Sequence, residues 1–469
     1  MKNLSIISTY RFCASLLVML ACAIGQNAHA QSSIYQQHNL VSDLAGSADV
    51  NDPNLVNPWG LAFNPFGPAW VADNGTGVST LYDGSGTPNS LVVQIPSPNA
   101  ASGGHPTGIV FNGSAQFVLT AGGVSGVSRF IFATEEGVIA AWSPTVDRNN
   151  ALRVIDNSTA TAAVYKGLAL SANGTGSLLY AADFRNNRID VFDGAFSPVT
   201  LSAGAFTDPN LPAGFAPFGI QAINGNIYVA YAMQAADRFD NVEGAGLGFV
   251  NVFGPNGEFI KRLVSQGSLN APWGMALAPA GFGEFGDRLL VGNFGDGAIN
   301  VYDIATGQFA GQLVDANASP IRIDGLWALV FGNGFANQPV NTLFFTAGPN
   351  SERNGLYGRI DVRNSVPGGQ NAVTQNNTVS SVENNGLIGT IGTQTGVSAG
   401  QVGFSTSIGT QGSVPVAQGS LIGNIATQSS LPETQSGLIG GIGQNSEFGF
   451  SGTVSTQTSP AFPAFLMGP

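Results

Sequence analysis

Six side chains occupy one position of a pattern that returns along the chain: Trp59, Thr107, Lys166, Phe218, Trp273 and Trp327. Each stands immediately before a glycine, except the last, which precedes Ala328. Four aromatic rings and one ammonium group gathered round a common centre would form a collar able to stack on sugar rings or clamp a peptide. The same rings could instead pack between neighbouring structural units, because large aromatics dominate protein cores. His105, just ahead of Pro106, is the one histidine inside the repeats. It offers a general base if a substrate reaches it and a structural side chain otherwise.

A second ring falls where the next run of each unit ends: Asp73, Thr134, Asp183, Tyr231 and Asn293, with Glu135 and Glu136 alongside. Carboxylate and amide oxygens suit Ca2+ or Mg2+, and Asp73, Glu135, Asp183 and Asn293 are the candidate ligands. Against this, Asp and Asn at strand ends ordinarily bond their own turn, and Arg185 and Arg188 stand ready to pair with Asp183. The long segment 232–247 carries Asp237, Arg238, Asp240 and Glu243, and Glu352 and Arg353 extend a later loop. Their balanced signs read as a solvated rim. The sequence holds no Ser/His/Asp order, no zinc spacing and no phosphate loop.

What positions these residues is a repeat. PWGLAF from Pro58, PTGIVF from Pro106, YKGLAL from Tyr165, PFGIQA from Pro217, PWGMAL from Pro272 and LWALVF from Leu326 share one form. Their third residues are separated by 48, 59, 52, 55 and 54 positions. Each unit continues with two β-like runs around an Asn/Asp/Gly turn, as in LLYAADFRNNRIDVFDG from Leu178, and then an outer run such as SLVVQI from Ser90. Four antiparallel strands repeated six times predict an all-β, six-bladed β-propeller over 34–364. The sixth unit lacks its outer run, and YQQHNLV from Tyr35 supplies the match, so residues 35–44 should pair with the strand at 356–362 and close the ring. In such a ring the two sets of candidate residues face the upper mouth of the channel.

Residues 365–469 form a low-complexity tail rich in Gly, Ser and Gln. Four 17-residue repeats run over 386–453, with Ile391, Ile408, Ile425 and Ile442 in one register. Such a tail reads either as a flexible extension or as a self-associating β-stack.

The run from Leu178 to Gly194 resembles the NHL-type propeller repeat. From Asn39 to Val362 the chain also resembles a family of exported bacterial proteins, through LVSDLAG at Leu40, DPNLVNPWG at Asp52 and FIFATEEGVIAAW at Phe130. That resemblance implies a propeller and export but no particular reaction. Some members carry a Pro-Glu-Pro sorting signal, which the ending FPAFLMGP does not match.

Composition bounds the partners. Lys and Arg total 16 against 28 Asp and Glu, a net charge of −12, and charged residues make up 9% of the chain. An average soluble chain carries about 25%. Nucleic acid is excluded as a partner, since phosphates need a basic surface that this chain cannot assemble. Lys2 and Arg11, the apolar run 12–24 and Ala28-His29-Ala30 predict a signal peptide over 1–30, hence a periplasmic or extracellular protein without a transmembrane segment in its mature form. Cys13 and Cys22 both lie within that leader.

Two function classes follow. The favoured one is a secreted binding or scaffold module using the upper face for a small-molecule, glycan or protein ligand. The alternative is a metal-dependent hydrolase or lyase similar to the lactonase-type propellers, with the metal at the channel mouth.

Overall fold

A computed structural model describes residues 33–364 and six short strands within 399–428. The leader expected at 1–30 and most of the tail, Ile391 and Ile442 included, lie outside the described residues. The first unit is a six-bladed β-propeller, each blade an antiparallel sheet entered at the channel by one of the repeated motifs. Blade 1 runs Pro58–Phe63, Ala69–Asp73, Val78–Tyr82 and Val93–Gln94. Blades 2, 4 and 5 have the same four-strand order, beginning at Pro106–Phe111, Phe215–Ile223 and Pro272–Leu277.

Blade 6 is completed from the other end of the sequence. Ser33–Ser42 pairs antiparallel with Leu356–Asn364, with Tyr35 opposite Val362 and a register shift between Asn39 and Val41. Tyr35 is buried, its ring stacked on Phe285 with centroids 5.8 Å apart.

Blade 3 is thinner than its siblings, with strands only at Tyr165–Ala172, Ser177–Asp183 and Arg188–Phe192. Where an outer strand would run, contact shrinks to a bridge between Phe192 and Pro198, because proline brings no N–H to a ladder. Blade 2 is longer, and its extra length accounts for the 59-residue spacing. A hairpin, Val118–Ala121 with Val124–Val127, sits between its first two main strands. Gly122 and Gly123 turn it at φ of 57° and 80°, a conformation that glycine adopts without steric cost.

Apolar runs in the strands follow from burial on both faces. In blade 5 Leu289 packs towards blade 4 and Leu290 towards blade 6, both fully buried. Five apolar clusters fill the seams between neighbouring blades. The sixth, between blades 6 and 1, is continuous with the aromatic residues at the channel mouth. The repeated glycines let inner strands approach closely: a Cβ on Gly60, Gly219 or Gly274 would overlap the carbonyl oxygen of Thr107, Trp273 or Trp327 in the next blade.

In the tail the described strands pair in parallel at an offset of one repeat, Gln401 opposite Gln418 and Ile408 opposite Ile425. Among the described residues no helix is long and apolar enough to cross a membrane.

Candidate ligand cup on the upper face

The collar residues converge, and their rings pack mainly on one another. Trp59 lies flat on Trp327 and edge-on to Trp273 and Phe218, while Phe294 covers another part of Trp327. Trp59, Phe218, Trp273 and Trp327 are all buried. They form an aromatic plug across the channel, and below it the space narrows to about 40 Å³ among Gly60, Gly108 and Gly274. The rings are thus used in packing, the second of the two readings open to the sequence.

Above the plug lies a cup of about 540 Å³ floored by Trp59, Trp327, Phe294 and Lys166. Lys166 enters from the first strand of blade 3 and is 1% exposed. A buried ammonium needs a partner, and its Nζ donates to Glu135 Oε1 at 2.5 Å and lies 3.6 Å from Asp240 Oδ1. It also sits 5.0 Å from the Trp59 ring centroid and 4.6 Å from that of Phe239.

A polar chain links this ion pair round the ring. Asn74 Nδ2 donates to Glu135 Oε2 at 3.0 Å, Asn57 Nδ2 to Asn74 Oδ1 at 3.3 Å, and Trp327 Nε1 to Asn57 Oδ1 at 3.1 Å. Trp273 Nε1 donates to the Lys166 carbonyl at 2.9 Å. These bonds tie together blades 1, 2, 3, 5 and 6, so the cup floor is held by most of the ring.

The wall includes residues that the sequence reading assigned to a solvated rim. Asp240 and Glu243 come from the long blade 4 loop, and Glu352 from the loop of blade 6. Glu352 ends a turn in which Asn350, Ser351 and Glu352 have φ of 59°, 56° and 63°. This is one turn of left-handed helix, costing on the order of 1–2 kcal/mol per residue for non-glycine side chains. It is held by Glu352 N–H to the Gly348 carbonyl (3.0 Å) and by Asn350 N–H to Asp324 Oδ2 (2.9 Å). Burial, then the charge of Glu135, pushes the Glu352 carboxyl up to about 7; Lys166 opposes the shift, and Asp240 and Glu243 add to it. Burial and then Asp324 likewise raise Glu243.

The four proposed metal ligands each have bonds within their own surroundings, although Asp73 Oδ1 and Asn293 Oδ1 are buried without a partner. Asp73 is fully buried and accepts from the Thr80 N–H (3.0 Å) and Oγ1 (2.8 Å). Burial outweighs those bonds and holds Asp73 well above the usual carboxylate range. Asp183 accepts from Asn186 Nδ2 at 2.7 Å and lies 3.3 Å from Arg188 Nε. Asn293 donates to the Ser268 carbonyl at 2.8 Å, and Glu135 belongs to Lys166. Among the described residues no group of three or more His, Cys, Asp or Glu side chains is arranged to hold a metal ion. His105 stands at the rim, its Nδ1 bonded to Glu136 Oε1, and that bond raises its pKa against the effect of burial.

No protein-family model matches the chain. Among solved structures, virginiamycin B lyase from Staphylococcus aureus aligns with 70% of this chain and 99% of its own at 13% identity and a TM-score of 0.40. A glucose dehydrogenase aligns with 69% and 98% at 12% identity and 0.42. Among curated proteins, two uncharacterised proteins of Acanthamoeba polyphaga mimivirus are 34% and 33% identical to it, each over 68% of this chain. The matches span 78% and 84% of those proteins. At that identity and coverage, the chain belongs to the family of these mimivirus proteins.

Proposed function

We propose that the protein is an exported ligand-binding propeller that takes a small polar ligand in the upper-face cup. The observation that carries this reading is Lys166, a charged side chain 1% exposed at the base of a cup of about 540 Å³. Pockets of about 300–1,000 Å³ with a few convergent polar groups suit small molecules. A floor cross-linked by hydrogen bonds through several blades is also preorganised, which lowers the entropic cost of binding.

The test is a thermal-shift screen of a metabolite library on the full-length protein and on Asn241→Trp, which fills the cup from its wall. Ligands that raise the melting temperature of the parent by mass action should fail on Asn241→Trp. Hits that shift both proteins alike would place binding elsewhere and refute the cup.

Export rests on the resemblance to exported bacterial proteins and on the composition of residues 1–30. Expression in a bacterial host followed by N-terminal sequencing of the periplasmic fraction should find a chain starting at Gln31. A cytoplasmic, unprocessed product would remove export from the proposal.

A further inference from the structure

The charges around the cup do not balance. Asp240, Glu243, Asp296, Asp324 and Glu352 line it, against Lys166 and Arg322. Arg322 is taken by Asp296, with Nη1 to Oδ2 at 2.9 Å, and Lys166 by Glu135 and Asp240. Glu243, Asp324 and Glu352 have no cationic partner among the described residues. A second, independent group is also left open: Trp59 lines the cup and is 3% exposed, and its Nε1–H has no acceptor. A buried donor without a partner costs about 1–3 kcal/mol, and an acceptor atom on a ligand would relieve that cost.

We propose that the cup takes an organic cation, an ammonium or guanidinium compound that also carries an acceptor oxygen, with Glu243, Asp324 and Glu352 supplying the countercharge and Trp59 Nε1 meeting the oxygen. This rests on the cup being the binding site and names the ligand class. The carboxylates come from separate loops around the rim rather than from one coordination shell, so they suit a spread cation. A free amine and a Lys or Arg side chain of a peptide share this chemistry.

Binding should be coupled to a proton. The groups facing Glu352 are Glu135, Asp240 and Glu243, which favour its neutral form, and Lys166, which favours the ionised form. An incoming cation adds to the second effect, so the carboxyl ionises and releases its proton near pH 7.

The experiment is calorimetry on the full-length protein at pH 7 in two buffers of different ionisation enthalpy. The probes are L-argininamide (cation with acceptor), agmatine (cation without acceptor oxygen), an acetylated Gly-Arg-Gly amide, sorbitol and citrate. L-Argininamide should bind more tightly than agmatine, with proton release seen as a buffer-dependent enthalpy. Glu352→Gln should abolish the release and weaken binding at least tenfold. Trp59→Phe should bring L-argininamide down to the level of agmatine. Cooperative melting and a parent-like circular dichroism spectrum would show that both variants fold; if either does not, Glu243→Gln carries the same tenfold expectation. Comparing the peptide with L-argininamide separates the two sources.

Sorbitol or citrate binding as well as the cations would overturn the proposed class, and so would cation binding without proton release that Glu352→Gln leaves intact. If citrate binds and Asn241→Trp abolishes it, the cup stands and only the ligand class falls. If no probe binds, the cation class falls, and the library screen on Asn241→Trp decides separately whether the cup itself survives.

Discussion

Trp59 and Trp327 stack with ring centroids 3.5 Å apart and planes 19° from parallel, joining the first and last repeats of the ring at the channel mouth. Trp327→Ala should therefore remove more than one buried side chain. It opens the plug and leaves Asn57 Oδ1 without its donor. The expected loss is about 3–5 kcal/mol, the range for truncating a buried Trp. Equilibrium denaturation checks it, and a loss below about 1 kcal/mol would show that the plug does not brace the ring.

Gly219 and Gly174 separate two reasons for glycine. At Gly219 a Cβ meets the backbone carbonyl of Trp273, so Gly219→Ala must push blades 4 and 5 apart. At Gly174 nothing lies within 4 Å, but φ is +86°. Gly174→Ala should cost about 1 kcal/mol of backbone strain, and Gly219→Ala about 3 kcal/mol or more, or give no folded protein. Equal melting temperatures for the two variants would contradict the close-approach account.

Asp73 sets a pH dependence. Its folded pKa lies above the unfolded value, so the native state binds the proton more tightly than the unfolded chain does. Its contribution is fully present below about pH 4, the usual carboxylate range, and declines as pH rises towards the folded pKa. Asp73→Asn carries no charge to desolvate. Relative to the parent it should gain melting temperature at pH 8 compared with pH 4, and an offset constant with pH would refute the assignment. If Asp73 serves only as the acceptor for Thr80, millimolar calcium should leave the parent's melting temperature unchanged. A calcium-dependent rise that Asp73→Asn abolishes would support the metal reading of Asp73.

The parallel pairing of Ile408 with Ile425 gives the tail a test of its own. Replacing Ile391, Ile408, Ile425 and Ile442 together with Ser should abolish any concentration-dependent assembly and leave the propeller's melting unaltered. If the full-length protein stays monomeric by analytical ultracentrifugation at every concentration, the self-associating reading of the tail fails.

The parts of the molecule that repeat were legible in the chain. The glycine positions, the tight turns and the closing strand announce themselves by period, and Lys166 stands out as the one cation at the collar position. The cup wall was not legible, for a physical reason. Glu352 reaches it through a left-handed turn of non-glycine residues stabilised by Asp324, a contact that no local pattern encodes. Asp240 and Glu243 lie in a loop without periodicity, and their balanced charges resemble any solvated rim. The thinning of blade 3 was readable in hindsight from Pro198, and the blade 2 hairpin from Gly122-Gly123 and the long spacing that contains them.

The pairing of Ser33–Ser42 with Leu356–Asn364 has a cost in time during synthesis. The strand made first waits for the strand made last, roughly 15 to 65 seconds at translation rates of about 5–20 residues per second. Throughout that interval, and under the proposed export until the chain folds, it is an unpaired edge. Its middle is polar, Gln36 and His38 being exposed even in the finished ring. Polar residues at such positions discourage pairing with strangers. Replacing Gln36 with Val should then increase the insoluble fraction formed before the ring closes, while the soluble remainder melts as before. If solubility is unaffected, the waiting strand is shielded by something other than its own side chains.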